Sequence, residues 1–243
     1  MSAKDITLRP IKAEVARKLV KKLHYSGKVS NTSCLHFGVF YKGKLEGAMQ
    51  FGSPIDKRRV LPLVKDTKWN GFLELNRMAF SENLPRNSES RAISVALKLI
   101  KKNYPHIEWI LSYADATQCG DGIIYRASGF YLTGIKDNTT MLRLPSGEIV
   151  ADITLNVSIQ KKALKKVAEK LPGFQIRYIY FINKEAKKRL SVPILSYKKL
   201  VEKGAKMYKG KKISVASETG DTTSIHEVKG GSNPTAMLQF AKE

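Results

Sequence analysis

Apolar residues recur along the first 150 positions at the two spacings that distinguish strands from helices. Alternating or continuous apolar runs predict strands over 6–8, 35–41, 45–51, 72–80, 107–113 and 130–135. Apolar residues spaced by one helical turn predict helices over 11–23, 88–102 and 123–128. In the first helix, this spacing predicts a buried face made of Ile11, Val15, Leu19 and Leu23. The order of the elements predicts a mixed α/β fold in which helices flank a central sheet.

The pattern changes at about residue 158. A basic helix is predicted over 159–170 and an aromatic strand over 176–182, with Tyr178, Tyr180 and Phe181 expected in the core. Beyond about residue 206 the chain is rich in Lys, Gly, Ser and Thr and has little apolar periodicity. We therefore expect a main domain over 1–157, a basic extension that packs on it over 158–209, and a flexible tail over 210–243.

Positive charge is concentrated in this extension. The 243 residues carry 43 Lys and Arg against 21 Asp and Glu, a formal net charge of +22. Residues 158–212 hold 17 basic and 3 acidic side chains, a net of +14. Phosphates relieve such self-repulsion by releasing counterions, so nucleic acid is the favoured partner, with a solvated lysine face as the alternative. The expected phosphate contacts are Lys161, Lys162, Lys165, Lys166, Lys187, Lys188 and Arg189.

Composition excludes several classes of protein. A hydrophobic fraction of 42% is enough to build a core, which argues against wholesale disorder. No apolar run approaches the roughly 18–20 residues of a membrane span, and no signal-peptide core is present. Cys34 and Cys119 are too few for a disulfide framework or a four-thiolate zinc site. We expect a cytoplasmic protein without a membrane partner.

The start of the helix over 88–102 has the composition of an anion site, because residues 86–91 read R-N-S-E-S-R. A helix N-terminus offers unpaired N–H groups and a partial positive charge to a phosphate or pyrophosphate. An ordinary N-cap at Asn87 or Ser88 explains the same polar residues without a ligand. The expected cofactor contacts are Arg86, Asn87, Ser88, Ser90 and Arg91.

Asp115 and Tyr125 flank a Gly-rich turn after the strand over 107–113. Ligands of open α/β sheets sit beyond the carboxyl ends of the strands. There Asp115 can act as a general base or a metal ligand, and Tyr125 as a general acid or a stacking platform. The alternatives are an Asx-turn at Asp115 and a core position for Tyr125.

His24 and Tyr25 end the first predicted helix. Together with Asp115 they would make a nitrogen and oxygen site for a transition metal such as iron. The alternative is that His24 is a capping or packing residue, which is the commoner role of a single histidine.

Arg77 lies inside an apolar strand. Strand alternation predicts that it shares a face with Leu75 and Ala79, and a buried guanidinium needs a partner. That partner is expected to be Asp115, the surroundings of Glu74, or a bound anion.

Four motifs occur together: E-L-N-R-M at 74–78, N-S-E-S-R-A-I-S at 87–94, S-Y-A-D at 112–115 and G-I-I-Y-R-A-S-G-F at 122–130. With the order of the elements they resemble acetyltransferases of the GNAT superfamily, and more narrowly the Mom DNA-modification proteins of phage Mu and its relatives. The resemblance covers about residues 5–150, with weaker similarity over 177–190.

The resemblance implies a GNAT-like fold and an enzyme that converts adenine in double-stranded DNA to a carbamoylmethyl (glycinamide) adduct on the exocyclic amine. That adduct protects phage DNA from host restriction in the cytoplasm of the infected cell. A paired adenine must be flipped out of the helix, and Tyr25, Tyr113 and Tyr125 are candidates to stack on it. By motif, the family's essential positions are His24, Tyr25, Arg77, Ser90, Asp115 and Tyr125.

The donor of the transferred group is less clearly indicated. GNAT acetyltransferases carry a Q/R-x-x-G-x-G/A loop around the pyrophosphate, whereas residues 86–91 contain no glycine. Acetyl-CoA or another acyl-CoA-type donor would therefore be held by the helix N-terminus. Two alternatives remain: an acetyl-CoA-dependent N-acetyltransferase acting on a protein or small amine, and a nucleic-acid-binding module without catalysis.

Overall fold

The computed structural model describes residues 2–117, 120–138, 140–156, 158–205, 207–208 and 211–212. The α-helices in these ranges are α1 (Ala13–Leu23), α2 (Lys57–Val60), α3 (Ser88–Asn103), α4 (Ile123–Ala127), α5 (Ile159–Val167) and α6 (Tyr197–Glu202). The strands are β1 (Thr7–Pro10), β2 (Ser33–Tyr41), β3 (Lys44–Gly52), β4 (Phe72–Phe80), β5 (Trp109–Asp115), β6 (Tyr131–Asp137), β7 (Met141–Arg143), β8 (Ile149–Ala151), β9 (Glu169–Lys170), β10 (Phe174–Phe181), β11 (Met207–Tyr208) and β12 (Lys211–Lys212).

Seven strands form the central sheet, in the order β1-β2-β3-β4-β5-β10-β6. Every neighbouring pair is antiparallel except β4 and β5, which are parallel. Parallel strands need a crossover connection, and α3 supplies it between β4 and β5. The predicted mixed α/β fold with a central sheet flanked by helices is confirmed.

The helix α3 covers one face of the sheet through the apolar row that the sequence predicts. Ile93, Ala96, Leu97 and Ile100 are all buried, in a core that also contains Tyr178 from β10. Because these residues repeat at helical spacing, one side of α3 is continuously apolar and packs on the strands.

The helix α1 covers the opposite face, where Ile11, Leu19 and Leu23 of the predicted row are partly buried. Ala16 and Val20 are fully buried against Ala48 of β3 and Ala79 of β4, whereas Val15 is 37% exposed. The prediction for Val15 is wrong. The sheet presents alanines under this helix, so a small residue of α1 makes the closest contact, and a pattern of large apolar residues does not reveal it.

The predicted basic extension contributes a strand to the main sheet. β10 lies between β5 and β6 and pairs antiparallel with both. Tyr178 is fully buried and Phe181 is 7% exposed, so their predicted core positions are confirmed. The division of the chain at residue 157 stays a prediction, and the predicted tail over 210–243 lies outside the described residues apart from Lys211–Lys212.

A second, smaller sheet follows the main one along the chain. Its strands run in the order β8-β7-β9, and α5 lies between β8 and β9 in sequence. None of these strands is longer than 3 residues, so they are too short to give a periodic apolar pattern in the sequence. Within the described ranges, no helix has both the length and the apolar character of a membrane span.

Candidate functional site

A crevice opens between the two parallel strands of the sheet. β4 and β5 pair only over Phe72–Glu74 and Trp109–Leu111. β4 nevertheless continues to Phe80 and β5 to Asp115, so the strands separate beyond Glu74 and Leu111. The resulting gap lies at the carboxyl ends of parallel strands, which is where open α/β sheets bind ligands.

A β-bulge in β4 decides which side chains face this crevice. Gln50 of β3 pairs with Arg77, whereas the next residue, Phe51, pairs with Leu75, so β4 holds one extra residue there. Leu75 consequently faces the α3 core, while Ala79 packs under α1. The prediction that Arg77 shares a face with both Leu75 and Ala79 is therefore wrong, because the bulge reverses the alternation between them.

Arg77 points toward the loop that follows α1. Its Nε donates to the carbonyl of Lys28 at 2.9 Å and its Nη1 to the carbonyl of Asn76 at 2.6 Å. Its charge lowers the pKa of both His24 and Glu74. Of the partners expected from the sequence, the structure supports the surroundings of Glu74 and adds the two backbone carbonyls.

His24 ends α1 beside Arg77 and is held as a neutral imidazole. Burial, followed by the nearby Arg77 charge, lowers its pKa to about 4. The backbone N–H of Ser26 donates to Nδ1 at 3.2 Å, so in the neutral ring the proton is on Nε2. The adjacent Tyr25 ring is 52% exposed and lies 4.2 Å from the His24 ring, centroid to centroid.

Glu74 forms a cluster with His24 and Arg77, and it is the one of the three that the sequence did not single out as a site residue. Burial raises its pKa to about 7, while a hydrogen bond from Asn76 and the charge of Arg77 oppose the increase. Across the crevice, burial and then the Glu74 charge raise the pKa of Tyr113 on β5. The available signal was alternation, since Glu74 shares a strand face with the buried Phe72.

Asp115 ends β5 and organises the turn that follows it. Its Oδ1 accepts the backbone N–H of Thr117 at 3.0 Å and the Asn138 amide at 3.4 Å. A carboxylate that accepts the N–H two residues further on forms an Asx-turn, which is one of the two readings that the sequence left open. The side chain lies on β5 two residues beyond Tyr113.

Tyr125 lies on the other face of the sheet from Arg77. It is 9% exposed and belongs to the α3 core, where its ring centroid is 5.4 Å from that of Tyr178 and 5.5 Å from that of Phe130. Tyr125 therefore occupies a core position, which is the alternative that the sequence left open for it. The structure brings His24, Glu74 and Arg77 together, and it places Tyr125 behind the sheet.

A basic cleft of about 680 Å³ lies at the N-terminus of α3. Asn87 occupies the N-cap position with a φ of 68°, and its side chain makes no capping hydrogen bond to the described residues. Ser88 is buried, its hydroxyl donates to the carbonyl of Pro85 at 2.6 Å, and it does not line the cleft. Residues that do line it include Lys4, Arg86, Asn87, Ser90 and Arg91.

The predicted phosphate contacts divide into exposed and engaged side chains. Arg189 bonds Glu108 at 2.7 Å and the Lys65 carbonyl, so it holds two segments of the protein together. Lys165, Lys187 and Lys188 contact Asp152, the Tyr131 ring and Glu185. The lysines of α5 that are exposed and lie outside these contacts are Lys161, Lys162 and Lys166.

Carboxylate, thiol and imidazole groups do not converge into a metal centre among the described residues: no three His, Cys, Asp or Glu side chains there are grouped to hold an ion. Nδ1 of His24 already accepts from Ser26, and Oδ1 of Asp115 accepts from Thr117. Two of the three predicted ligands thus use a candidate ligand atom in a local hydrogen bond, and a metal at His24, Tyr25 and Asp115 stays a prediction.

Comparison with known proteins finds one clear family. The Mom protein family matches residues 5–199. The methylcarbamoylase mom of Escherichia phage Mu is 38% identical over 200 residues, which cover 79% of this chain and 82% of that protein.

Among solved structures, an IAA acetyltransferase from Bacillus cereus superposes with a TM-score of 0.44 at 11% identity, over 72% of this chain and 99% of that chain. A GNAT family acetyltransferase from Elizabethkingia anophelis, with acetyl-CoA bound, gives 0.42 at 14% identity, over 73% and 98%.

Proposed function

The chain belongs to the Mom protein family, and from that premise we propose that it is a transferase that modifies DNA. Its reaction converts adenine in double-stranded DNA to a carbamoylmethyl adduct on the exocyclic amine, in the cytoplasm of a phage-infected cell. The observation that carries this proposal is the 38% identity to a protein named methylcarbamoylase. The crevice between β4 and β5 supplies the place where the reaction occurs.

The target amine is paired inside the duplex, so the adenine must rotate out of the stack to reach the crevice. Aromatic rings are the usual support for a flipped base. Tyr25 fits this role, because its ring is half exposed and lies beside His24 and Arg77 at the site. Tyr125, which is buried in the α3 core, supports the sheet from behind instead of stacking on the base.

In the reaction the amine nitrogen bonds to the methylene carbon of the donor, the bond from that carbon to its leaving group breaks, and the amine loses a proton. Glu74 fits the base that accepts this proton, because its pKa of about 7 lets it exchange protons near neutrality. Arg77 supplies fixed positive charge beside it, which suits a departing anionic group. His24 stays neutral and so contributes a hydrogen bond rather than a charge.

Asp115, Ser90 and Tyr125 fit positioning roles in this scheme. Asp115 fixes the turn after β5 through Thr117 and Asn138. Ser90 lines the basic cleft, where its hydroxyl bonds the Asn87 carbonyl at 3.2 Å. Each of these residues fixes the conformation of an element that borders the crevice or the cleft. Each therefore affects the reaction through the position of that element's backbone.

The cleft at the N-terminus of α3 fits the phosphates of an acyl-CoA-type donor. Lys4, Arg86 and Arg91 line it, and the first turn of α3 adds its partial positive charge. Because the Asn87 side chain makes no capping bond to the described residues, it leaves the N–H groups of Glu89 and Ser90 to a phosphate, whereas the Ser88 N–H donates to the Pro85 carbonyl at 3.2 Å. A thioester bound there would transfer its acyl carbon and give an amide, so the carbamoylmethyl product would require a donor that carries its leaving group on the methylene carbon.

Mass spectrometry of nucleosides from cells that express the protein tests the proposed function. We expect a fraction of deoxyadenosine to carry one added carbamoylmethyl group, and that fraction to be absent from cells with an empty vector. Unmodified deoxyadenosine alone, in cells where the protein is soluble, would contradict the proposal. The alternative acetyltransferase predicts acetylated amines or proteins together with unchanged DNA.

A further inference from the structure

The connection between β3 and β4, which enters β4 at its amino end, exposes an isoleucine. Residues 53–71 form this connection, here called the rim loop, which contains α2. Ile55 is 98% exposed, whereas Pro54 beside it is buried. An aliphatic side chain presented almost entirely to solvent contributes no burial to folding and is accessible to a partner.

The backbone on both sides of Ile55 is held in place. Ser53 donates its N–H to the carbonyl of Thr32 at 3.2 Å, and its own carbonyl accepts from the Thr32 hydroxyl at 2.6 Å. On the other side Asp56 caps α2, because its Oδ1 accepts the backbone N–H of Arg59 at 3.2 Å. Ile55 is thus the tip of a short anchored segment and not part of a loose loop.

The segment around Ile55 is connected to the strand that carries Glu74 and Arg77. Gly52 is the register partner of Glu74, and Ile55 follows Gly52 by three residues, at most about 11 Å along the chain. The carbonyl of Ser53 also accepts from the side-chain amide of Asn76 at 3.4 Å. Because Asn76 lies between Leu75 and Arg77 at the bulge, the rim loop is joined directly to the strand segment that carries the cluster.

The rim loop also has the charge of a surface that binds phosphates. It carries five basic and two acidic side chains, and the five are Lys57, Arg58, Arg59, Lys65 and Lys68. Trp69 is 52% exposed, with Lys57 Nζ 4.8 Å from its ring centroid. Exposed cations beside an exposed apolar side chain fit double-stranded DNA, which offers phosphates outside and stacked bases inside.

We propose that the rim loop is a duplex-binding element that inserts Ile55 into the base stack next to the target adenine. The side chain fills the space that the flipped base leaves, while α2 contacts the flanking phosphates. Apolar side chains are used in this way by proteins that open base steps. This inference rests on the proposed function, because only an enzyme that acts on a paired base needs such a wedge.

The test compares DNA in which the adenine is paired with DNA in which its partner is missing. DNA amplified with part of its thymine replaced by uracil, then freed of uracil enzymatically, carries adenines opposite abasic sites in every sequence context. Extracts of cells expressing the full chain supply enzyme and donor. Nucleoside mass spectrometry gives the modified fraction for the wild type, Ile55→Ala, Arg58→Ala and Ile194→Ala, the last being a 44% exposed isoleucine outside the rim loop.

We expect Ile55→Ala to lower modification of paired DNA about 10-fold or more and that of abasic DNA by less than about 3-fold, because an unpaired base flips without a wedge. Arg58→Ala should weaken both reactions equally, and Ile194→Ala should match the wild type. An equal loss of Ile55→Ala activity on both DNAs, or no loss on either, would overturn the wedge. A wild type that modifies neither DNA would instead refute the proposed function itself, and the wedge with it.

Discussion

Glu74, Arg77 and His24 show how neighbouring side chains set each other's protonation. Burial raises the pKa of Glu74 to about 7 and lowers that of His24 to about 4. The fixed charge of Arg77 lowers both values, so it limits the rise at Glu74 and adds to the fall at His24. Near neutral pH the cluster therefore holds one neutral imidazole, one guanidinium and one carboxyl group that exchanges its proton.

The first residue-scale prediction concerns Glu74 as the base. Wild-type activity should rise with pH and level off above about 7, because only the ionised carboxylate accepts the amine proton. Glu74→Gln should lower activity about 100-fold or more and remove this dependence. Initial rates of DNA modification between about pH 5.5 and about 8.5 measure both effects. Glu82→Gln, at an exposed position, is the control, and equal profiles for the two variants would contradict the role.

The same shift predicts a pH-dependent stability. Glu74 has a folded pKa of about 7 against an ordinary value of 4.5, so between these values the folded state binds more protons than the unfolded state. Its contribution to stability is therefore present below pH 4.5 and is lost as pH rises toward about 7. Glu74→Gln should gain stability relative to the wild type across that window, measured by urea unfolding at several pH values.

At the scale of residues, the sequence predicts which residues stand out better than it predicts the strand face that each side chain occupies. Arg77 stood out as a charged residue in an apolar strand, and the structure places it beside His24 and Glu74, while its role in the reaction stays a prediction. Its face was predicted wrongly, because a bulge follows from pairing with β3 and leaves no local pattern. Glu74 was missed as a site residue because a polar residue in a strand is usually exposed, and its partial burial depends on tertiary packing around β4.

At the scale of elements, long and strongly periodic segments were predicted well. β4 has the predicted bounds, and α3 differs by one residue at its end. The separation of β4 from β5 could not be predicted, because it depends on where pairing stops between strands joined by a helix. The Asx-turn at Asp115 was one of two open readings, and only the contact with Thr117 selects it.

Gly122 provides an element-scale prediction about the turn that precedes α4. Its φ is 77°, and a Cβ there would lie 2.5 Å from the Tyr178 ring. Gly122→Ala should therefore lower the free energy of unfolding by about 2–4 kcal/mol, from backbone strain and overpacking together. Gly43→Ala is the matched control, because Gly43 has a φ of 76° and an added methyl group there would meet nothing within 4 Å. Only the cost of the backbone conformation remains at that position, about 1 kcal/mol. Equal losses in urea unfolding would contradict this packing argument.

The cleft at the start of α3 gives a second prediction at this scale. Replacing Arg86 and Arg91 together by alanine should lower DNA modification about 10-fold or more, because each removes a charge that faces the donor phosphates. The control is the double alanine variant of Lys101 and Lys102 at the other end of the same helix. Modification in cells and thermal unfolding should be measured side by side. Equal activity of the two double variants would place the donor elsewhere.

At the scale of the whole molecule, the excess of positive charge should govern DNA affinity. Changing Lys161, Lys162 and Lys166 to glutamine should weaken duplex binding for every sequence, since these exposed lysines have no role in base contacts. The slope of log affinity against log salt should become shallower by about 0.9 for each lost phosphate contact. The same change at Lys98, Lys101 and Lys102 on α3 is the charge-matched control, and an unchanged slope at α5 would contradict the assignment.

Net charge favours nucleic acid as the partner, which stays a prediction, whereas the distribution of the charge needed the structure. The expected phosphate contacts include Arg189, which joins Glu108 to the Lys65 carbonyl and so stabilises the fold. The rim loop, which was not singled out, adds five basic residues in the connection that leads into β4. Tertiary contacts decide which cations remain available, and a count along the chain cannot separate the two groups.

The most direct test of the account is the modified fraction of deoxyadenosine in DNA from cells that express the wild type, Arg77→Ala or Arg143→Ala at equal soluble levels. Arg143 is an exposed arginine that bonds Glu169, away from the crevice cluster. We predict carbamoylmethyl-deoxyadenosine in the wild type and in Arg143→Ala, and a loss of about 100-fold or more in Arg77→Ala, whose folded state is checked by cooperative thermal unfolding. Full modification by a folded Arg77→Ala variant would contradict the claim that the crevice between β4 and β5 is the site of the reaction.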